Sequence, residues 1–360
     1  MLPEIIDRTI DHLHDDKISL KSCSLVSRPW LNTSRFHLFM AMHVRSVRNE
    51  EPERPFAHFL HFLKTSPDAA FHIRNLSILG GDAMGFYFGP PNTGICMHEL
   101  QDVLVHLPRL LKLEIGSLIL EACHRERCKD QPSPFSPVPL DTLCFYQACA
   151  AENLTSLSQF LDLFSTIRRL RVDELSCSEP NRRTQQVTIE QSSELSLNFQ
   201  CRELVGGVHM TEKIYPLLRW SKSTHTLSYI SVWPRGREAL NALGELIGGC
   251  GTALEKLSLN LQLLDVRQWP TGKILPVLFL ETLADRVSYQ VLMLGLDVCH
   301  YTPLQTCVVS LSRYSIIATT HLETPFFMLQ MRSSGGNVLL CWISCPLSPI
   351  LALSVILGYM

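Results

Sequence analysis

Apolar residues along this chain alternate between two spacings. A helical face (i, i+3, i+4, i+7) comes first, and a short strand-like triplet follows it. Phe56, Phe59, Leu60 and Leu63 make such a face; after a turn at Ser66-Pro67-Asp68, Ile73-x-x-Leu76-x-Ile78 predicts a strand that ends at Gly80-Gly81. Met97, Leu100, Leu104 and Leu107 precede Leu110-x-x-Leu113-x-Ile115 in the same way. Leu157, Phe160, Leu161 and Phe164 precede Ile167-x-x-Leu170-x-Val172, and Leu240, Leu243 and Ile247 precede Leu254-x-x-Leu257-x-Leu259. Further triplets stand at Leu140/Leu143/Phe145 and Leu227/Ile230/Val232. The triplet alone would recur by chance in a chain this rich in Leu, Ile and Val, so the signal is the coupling of helix face, turn and triplet.

Triplet starts are separated by 37, 30, 27, 60 and 27 residues, the 60 spanning a weak copy at Leu195 and Leu197. These steps straddle the leucine-rich-repeat range, although the asparagine or cysteine expected after each strand is missing. The expected fold class is therefore α/β overall, with residues 46–288 a degenerate leucine-rich-repeat-like helix/strand solenoid in which stacking covers each unit's apolar face. A compact α/β domain is the alternative.

The first forty residues have a different pattern. Pro3 stands in a first helical turn, where its missing N–H costs nothing, and Glu4 and Asp7 favour the positive helix start. Ile6, Ile10 and Leu13 share one face. His14-Asp15-Asp16 breaks the pattern, and Asp16 can cap a second helix in which Leu20, Cys23 and Ser24 share a face, with Val26 near its end. Ser27 is a candidate cap for a third helix, with Pro29 in its first turn and Trp30, Leu31, Leu38 and Phe39 beyond it. Three short helices bury too little surface to be very stable alone, so such a unit leans on a partner or on the next domain.

Composition narrows the function classes. The chain has 360 residues, of which 46% are apolar and 18% charged, and its net charge is −2. That balance is globular, and it gives no electrostatic case for nucleic acid or an anionic membrane. The 13 cysteines are odd in number and scattered, and Pro3, Glu4 and Asp7 leave no apolar signal region after Met1. The expectation is a reducing compartment, cytoplasmic or nuclear, with cysteines acting as small buried hydrophobes. Cys123, His124 and Cys128 lack the second half of a zinc site, and His58 and His61 lack a third ligand, so neither metal nor cofactor is expected. Phosphate-binding glycine loops, Gly-x-Ser-x-Gly and His-Glu-x-x-His are all missing, which points away from an enzyme. Gly206-Gly207 predicts a turn, and the proline-dense stretch 129–139 a surface loop. Residues 289–360 form a charge-poor tail of uncertain structure. Within it Val338–Tyr359 is long and apolar enough to span a bilayer, but Pro346, Pro349 and the lack of a basic cluster argue against a membrane. A buried tail, or a stretch not shaped by selection on a protein, are the other readings.

Leu2-Pro3-Glu4-Ile5-Ile6, the Ile10-to-Leu13 step, a short acidic turn and then Cys23-Ser24-Leu25-Val26-Ser27-Arg28 before Trp30 resemble the F-box motif, most closely that of the large F-box families of mushroom-type fungi. The resemblance covers roughly residues 1–40, with Pro29 and the short lead before Leu2 as departures, and it implies an F-box domain over residues 1–45. It implies a three-helix F-box that binds a Skp-type adaptor of a cullin–RING ubiquitin ligase, with Leu2, Pro3, Ile5, Ile6, Ile10, Leu20, Cys23, Leu25 and Val26 facing the adaptor. Leu13 and Trp30 would belong to the module's own core. The implied function is a non-catalytic substrate receptor whose 46–288 region holds a target protein. An F-box-like scaffold that recruits no ligase is the alternative.

Overall fold

The structure is a computed structural model that describes residues 3–46, 56–80, 93–121, 136–146, 149–177 and 197–260, and beyond them the backbone of six strands between 291 and 355. It divides into two compact units, Met1–Arg168 with Glu174–Ser193, and Arg169–Asp173 with Glu194–Met360.

The first unit opens with helices α1 (Pro3–Asp11), α2 (Lys17–Val26) and α3 (Arg28–Phe39). Asp16 caps α2 by accepting hydrogen bonds from the backbone N–H groups of Ile18 and Ser19, at 3.1 and 3.0 Å. Ser27 precedes α3 in an extended conformation but makes no side-chain cap, and Pro29 occupies the first turn. Only Met40 separates α3 from strand β1 (Ala41–Arg45). Next along the chain come α4 (Ala57–Thr65), α5 (Pro67–Ala70), β2 (Asn75–Leu79), β3 (Thr93–Cys96), α6 (Met97–Val105), β4 (Lys112–Gly116), β5 (Leu118–Glu121), β6 (Val138–Tyr146), β7 (Cys149–Ala151), α7 (Leu154–Leu161) and β8 (Phe164–Cys177).

Strands β1, β2, β4 and β6 pair in that order, all parallel. Register aligns Leu76 with Leu113 and Leu143, and Ile78 with Ile115 and Phe145. All six are buried, and they form the apolar face of the sheet. Helix α7 meets that face through Phe160, whose ring lies 5.5 Å from that of Phe145. Helices α4, α6 and α7 are neighbours, each lining its inner side with residues such as Phe59, Leu63, Leu100, Leu104, Leu157 and Leu161. The short strands β3, β5 and β7 form a second parallel ladder that β8 extends through Cys149 and Leu175. A corner separates β4 from β5 at Ser117, a non-glycine residue at φ 52°.

The second unit contains β9 (Gln200–Met210), α8 (Ile214–Trp220), β10 (Tyr229–Val232), α9 (Gly236–Cys250), β11 (Lys256–Asn260) and β12 (Val291–Leu296). Strands β9, β10, β11 and β12 are again parallel neighbours. Strands β13 (Cys307–Leu311), β14 (Tyr314–Thr319), β15 (Phe326–Ser333) and β16 (Val338–Ser344) form an antiparallel meander, and β17 (Leu353–Val355) pairs antiparallel with β12. The described parts of the apolar stretch 338–359 are thus strands, and among the described residues no helix is long and apolar enough to cross a membrane.

The expected fold class, an F-box three-helix module followed by a degenerate leucine-rich-repeat-like solenoid, is corrected by this architecture. The chain is α/β, with helices packed on a parallel sheet. The coupling of helix face and triplet is produced by any parallel α/β sheet, because each crossover helix and each buried strand must offer an apolar face to the same layer. The first forty residues are not a separate helical module either. Helix α3 runs through Met40 into the sheet, and its side chains contact α4 and the start of β2. Phe39 lies 6.2 Å from Phe62, and the Arg74 guanidinium 5.3 Å from the Phe36 ring.

Three local expectations also change. Ser66-Pro67-Asp68 is not a plain turn, because Pro67 opens α5. Val138 and Pro139 belong to β6, but they precede Thr142, where pairing with β4 begins, so the missing proline donor is not needed there. Gly206 and Gly207 lie inside β9 rather than at a turn. A side chain at Gly207 would meet the backbone carbonyl oxygen of Asp173 at 2.7 Å, so the glycine serves close strand approach.

Candidate partner-docking surface

Helix α2 carries apolar residues on two opposite sides. Leu20 and Cys23 point inward, where Leu20 joins Ile6 and Ile10 in a small core flanked by Leu13, Trp30 and Leu38. Ile18 and Leu25, seven residues apart and so on one face, point outward. Their exposures are 80% and 86%, and those of Val26 and Ile5 are 64% and 51%. Among the described residues of the first forty, these are the large apolar side chains left in water.

Helix α1 is fastened to α3 by two polar pairs with matched spacing. The Thr33 hydroxyl donates to Asp7, and the His37 Nε2 meets Asp11 Oδ1 at 2.7 Å. Residues 7 and 11 are one helical turn apart, as are 33 and 37, so the pairs zip one helix to the other. Their position holds Ile6 and Ile10 over Leu20.

The expected adaptor-facing set therefore divides. Ile5, Leu25 and Val26 are exposed. Ile6, Ile10, Leu20 and Cys23 are instead buried within the helices. Leu2 and the side chain of Pro3 lie outside the described residues. Leu13 and Trp30 pack against the small core. Ile18 was missed by the sequence reading, although its i, i+7 relation to Leu25 could have found it.

The parallel sheet of the first unit has a second surface. On the side opposite Leu76, Leu113 and Leu143, the rows Asn75, Lys112, Thr142 and Ser77, Glu114, Cys144 align. The Lys112 Nζ pairs with Glu114 at 2.7 Å. Tyr146 reaches across β4 to share a 2.7 Å hydrogen bond with Ser77. Gly116 makes that crossing possible, since a Cβ there would lie 3.1 Å from Tyr146 Cζ and 2.8 Å from Leu79 Cδ2. Burial raises the Tyr146 pKa, so its phenol stays protonated and can donate.

Reactive chemistry is not concentrated in the described residues. Burial pushes the Cys149, Cys201 and Cys250 thiols up to about 12, which leaves them as inert apolar groups at neutral pH. The buried hydroxyls of Ser221 and Ser223 bond to each other at 2.6 Å, and Ser223 accepts from the Cys201 N–H at 2.8 Å, so they tie α8 to β9. Among the described residues no group of three or more His, Cys, Asp or Glu is placed to hold a metal ion. Cys123, His124 and Cys128 lie outside the described residues. No protein-family model matches the chain, and no curated protein matches it at a significant level.

Proposed function

We propose that the chain is a non-catalytic adaptor that docks a Skp-type subunit of a cullin–RING ubiquitin ligase through α1 and α2 and offers a target protein the polar face of its parallel sheet. The observation that carries this reading is the outward Ile18–Leu25 stripe of α2, extended by Val26. A helix that already buries Leu20 and Cys23 has no internal use for a second apolar side. Covering three such side chains is worth about 1.5–3 kcal/mol each before association costs, a substantial part of the drive to dock. The resemblance of roughly residues 1–40 to F-box sequences supplies the nature of the partner. That role places the protein in the cytoplasm or nucleus, where the ligase and reduced thiols occur.

The test is capture of a Skp-type adaptor by the full chain. Ile18→Ala combined with Leu25→Ala should weaken capture at least about tenfold with an unchanged unfolding transition, because both positions are exposed. Capture that ignores the double substitution, or none by the folded wild type, would refute the docking surface. The alternative, a scaffold that recruits no ligase, predicts the second outcome.

A further inference from the structure

Four basic side chains gather where α3, α5 and the starts of two strands meet in the first unit. His72 follows α5, Arg74 precedes β2, Arg109 lies between α6 and β4, and Arg35 stands on α3. Phe36 and Phe71 present their rings edge-on to His72, with centroids at 6.1 and 6.0 Å. The Arg109 guanidinium lies over Phe71, its Cζ 3.7 Å from the ring centroid, and that of Arg74 lies over Phe36 at 5.3 Å. Burial first, and then Arg109, hold the His72 pKa below its ordinary value; Arg35 and Arg74 act in the same sense, and Asp68 opposes them.

Among the described residues, a ring contact without an ion pair sets Arg74 and Arg109 apart from the paired arginines of the chain. Arg168, Arg169, Arg171 and Arg219 each pair with a carboxylate, respectively Asp141, Glu203, Asp173 and Glu245. Among the described residues, Arg35, Arg74 and Arg109 form no ion pair with a carboxylate. A guanidinium stacked on a ring keeps its in-plane N–H groups free and its orientation fixed, which suits bidentate recognition of an oxyanion. Two such groups and Arg35, beside one carboxylate, Asp68, leave an excess of positive charge that a dianion matches.

We propose that this cluster binds a phosphate monoester carried on the side chain of a protein. Arg74 and Arg109 grip the phosphate oxygens, Arg35 supplies further positive charge, and the His72 imidazole adds a donor once the anion is present. Phe71, 42% exposed, offers an apolar shelf for the carbon atoms next to the ester, a contact that free phosphate cannot use. The chain's net charge of −2 supplies no overall attraction for a nucleic-acid backbone. The site uses none of Ile5, Ile18, Leu25 or Val26, so it stands apart from the adaptor docking proposed above.

The test is fluorescence anisotropy of the full chain with a labelled peptide bearing one phosphothreonine. Its unphosphorylated form, inorganic phosphate and a single-stranded oligonucleotide are the comparison probes. The phosphopeptide should bind and the unphosphorylated peptide should not, with inorganic phosphate competing only weakly. Arg74→Gln and Arg109→Gln should each weaken binding at least about tenfold, whereas Leu25→Ala should leave it unchanged. In the NMR titration of the His72 ring, phosphopeptide should raise the pKa in the wild type and not in Arg109→Gln. Should Arg109→Gln disturb the fold by circular dichroism, Arg35→Gln, at an exposed helix position, takes its place. Absence of phosphate-dependent binding, indifference to the arginine substitutions, or equal or tighter binding of inorganic phosphate or the oligonucleotide overturns the proposal.

Discussion

The helices α1–α3 and the neighbouring sheet layer use apolar residues in opposite ways. Around β2, β4 and β6 every member of the rows Leu76/Leu113/Leu143 and Ile78/Ile115/Phe145 is buried, and α4, α6 and α7 turn Phe59, Leu63, Leu100, Leu104, Leu157, Phe160 and Leu161 to the same interior. Around α2 the core is three residues, Ile6, Ile10 and Leu20, with Leu13, Trp30 and Leu38 only partly covered. Polar pairs, Asp7 with Thr33 and Asp11 with His37, supplement it. Meanwhile Ile18, Leu25 and Val26 remain in water. The strand rows of the sheet layer are fully covered, whereas α2 keeps an apolar stripe of its own in water. Conserving stability and reserving surface are competing uses of the same residue types, and the two regions divide them.

That contrast can be broken by comparing truncations. Leu113→Ala, in the middle of the sheet, should cost about 3–5 kcal/mol, read as a fall in the urea midpoint of unfolding. Leu20→Ala should cost less, about 2–3 kcal/mol, because its partly exposed neighbours can close over the cavity. Equal losses would mean that the helices are as tightly integrated as the sheet. The smallest effect concerns the start of α2. Ser19 and Ile18 hydrogen bonds, the Ser19 side chain first, hold the Asp16 carboxyl below its usual range in the folded chain. A depressed carboxylate stabilises above its unfolded value of about 3.9 and loses that contribution as pH falls through the folded value. Between pH 5 and about 3, the wild type should lose more of its melting temperature than Asp16→Asn, which caps without titrating. Parallel loss in both proteins would remove Asp16 as the source.

Much of the sheet was legible because strand interiors read in a simple code. Leu76, Ile78, Leu113 and Ile115 are apolar at alternate positions, and register then places them in rows. What periodicity could not supply was direction. On α2 it finds Leu20 with Cys23 and Ile18 with Leu25 as equally good stripes; α3, held in place by Asp7 and Asp11, decides which is inner. For that reason Ile6, Ile10, Leu20 and Cys23 were expected at a partner and lie in the core instead. Repetition misled at a higher level. Helix and triplet in alternation describe local chemistry common to solenoids and parallel α/β sheets, and only strand pairing tells them apart. The arginine cluster was invisible, since Arg35, His72, Arg74 and Arg109 come from separate segments and none has a sequence motif. The corner at Ser117 and the crossing of Tyr146 over Gly116 depend likewise on contacts between strands.

Met40 gives the junction between the two regions a mechanical property. Its N–H donates to the Phe36 carbonyl at 2.8 Å and completes the last turn of α3, while its own carbonyl accepts from the N–H groups of Arg74 and Asn75 at 3.0 and 2.9 Å. One residue is thus both the end of a helix and the first rung of the sheet, with no slack chain between. A load applied to α3 passes along β1 and is shared as shear by the parallel hydrogen bonds to β2, rather than peeling them one at a time. The sheet would follow the helices as a lever follows its pivot.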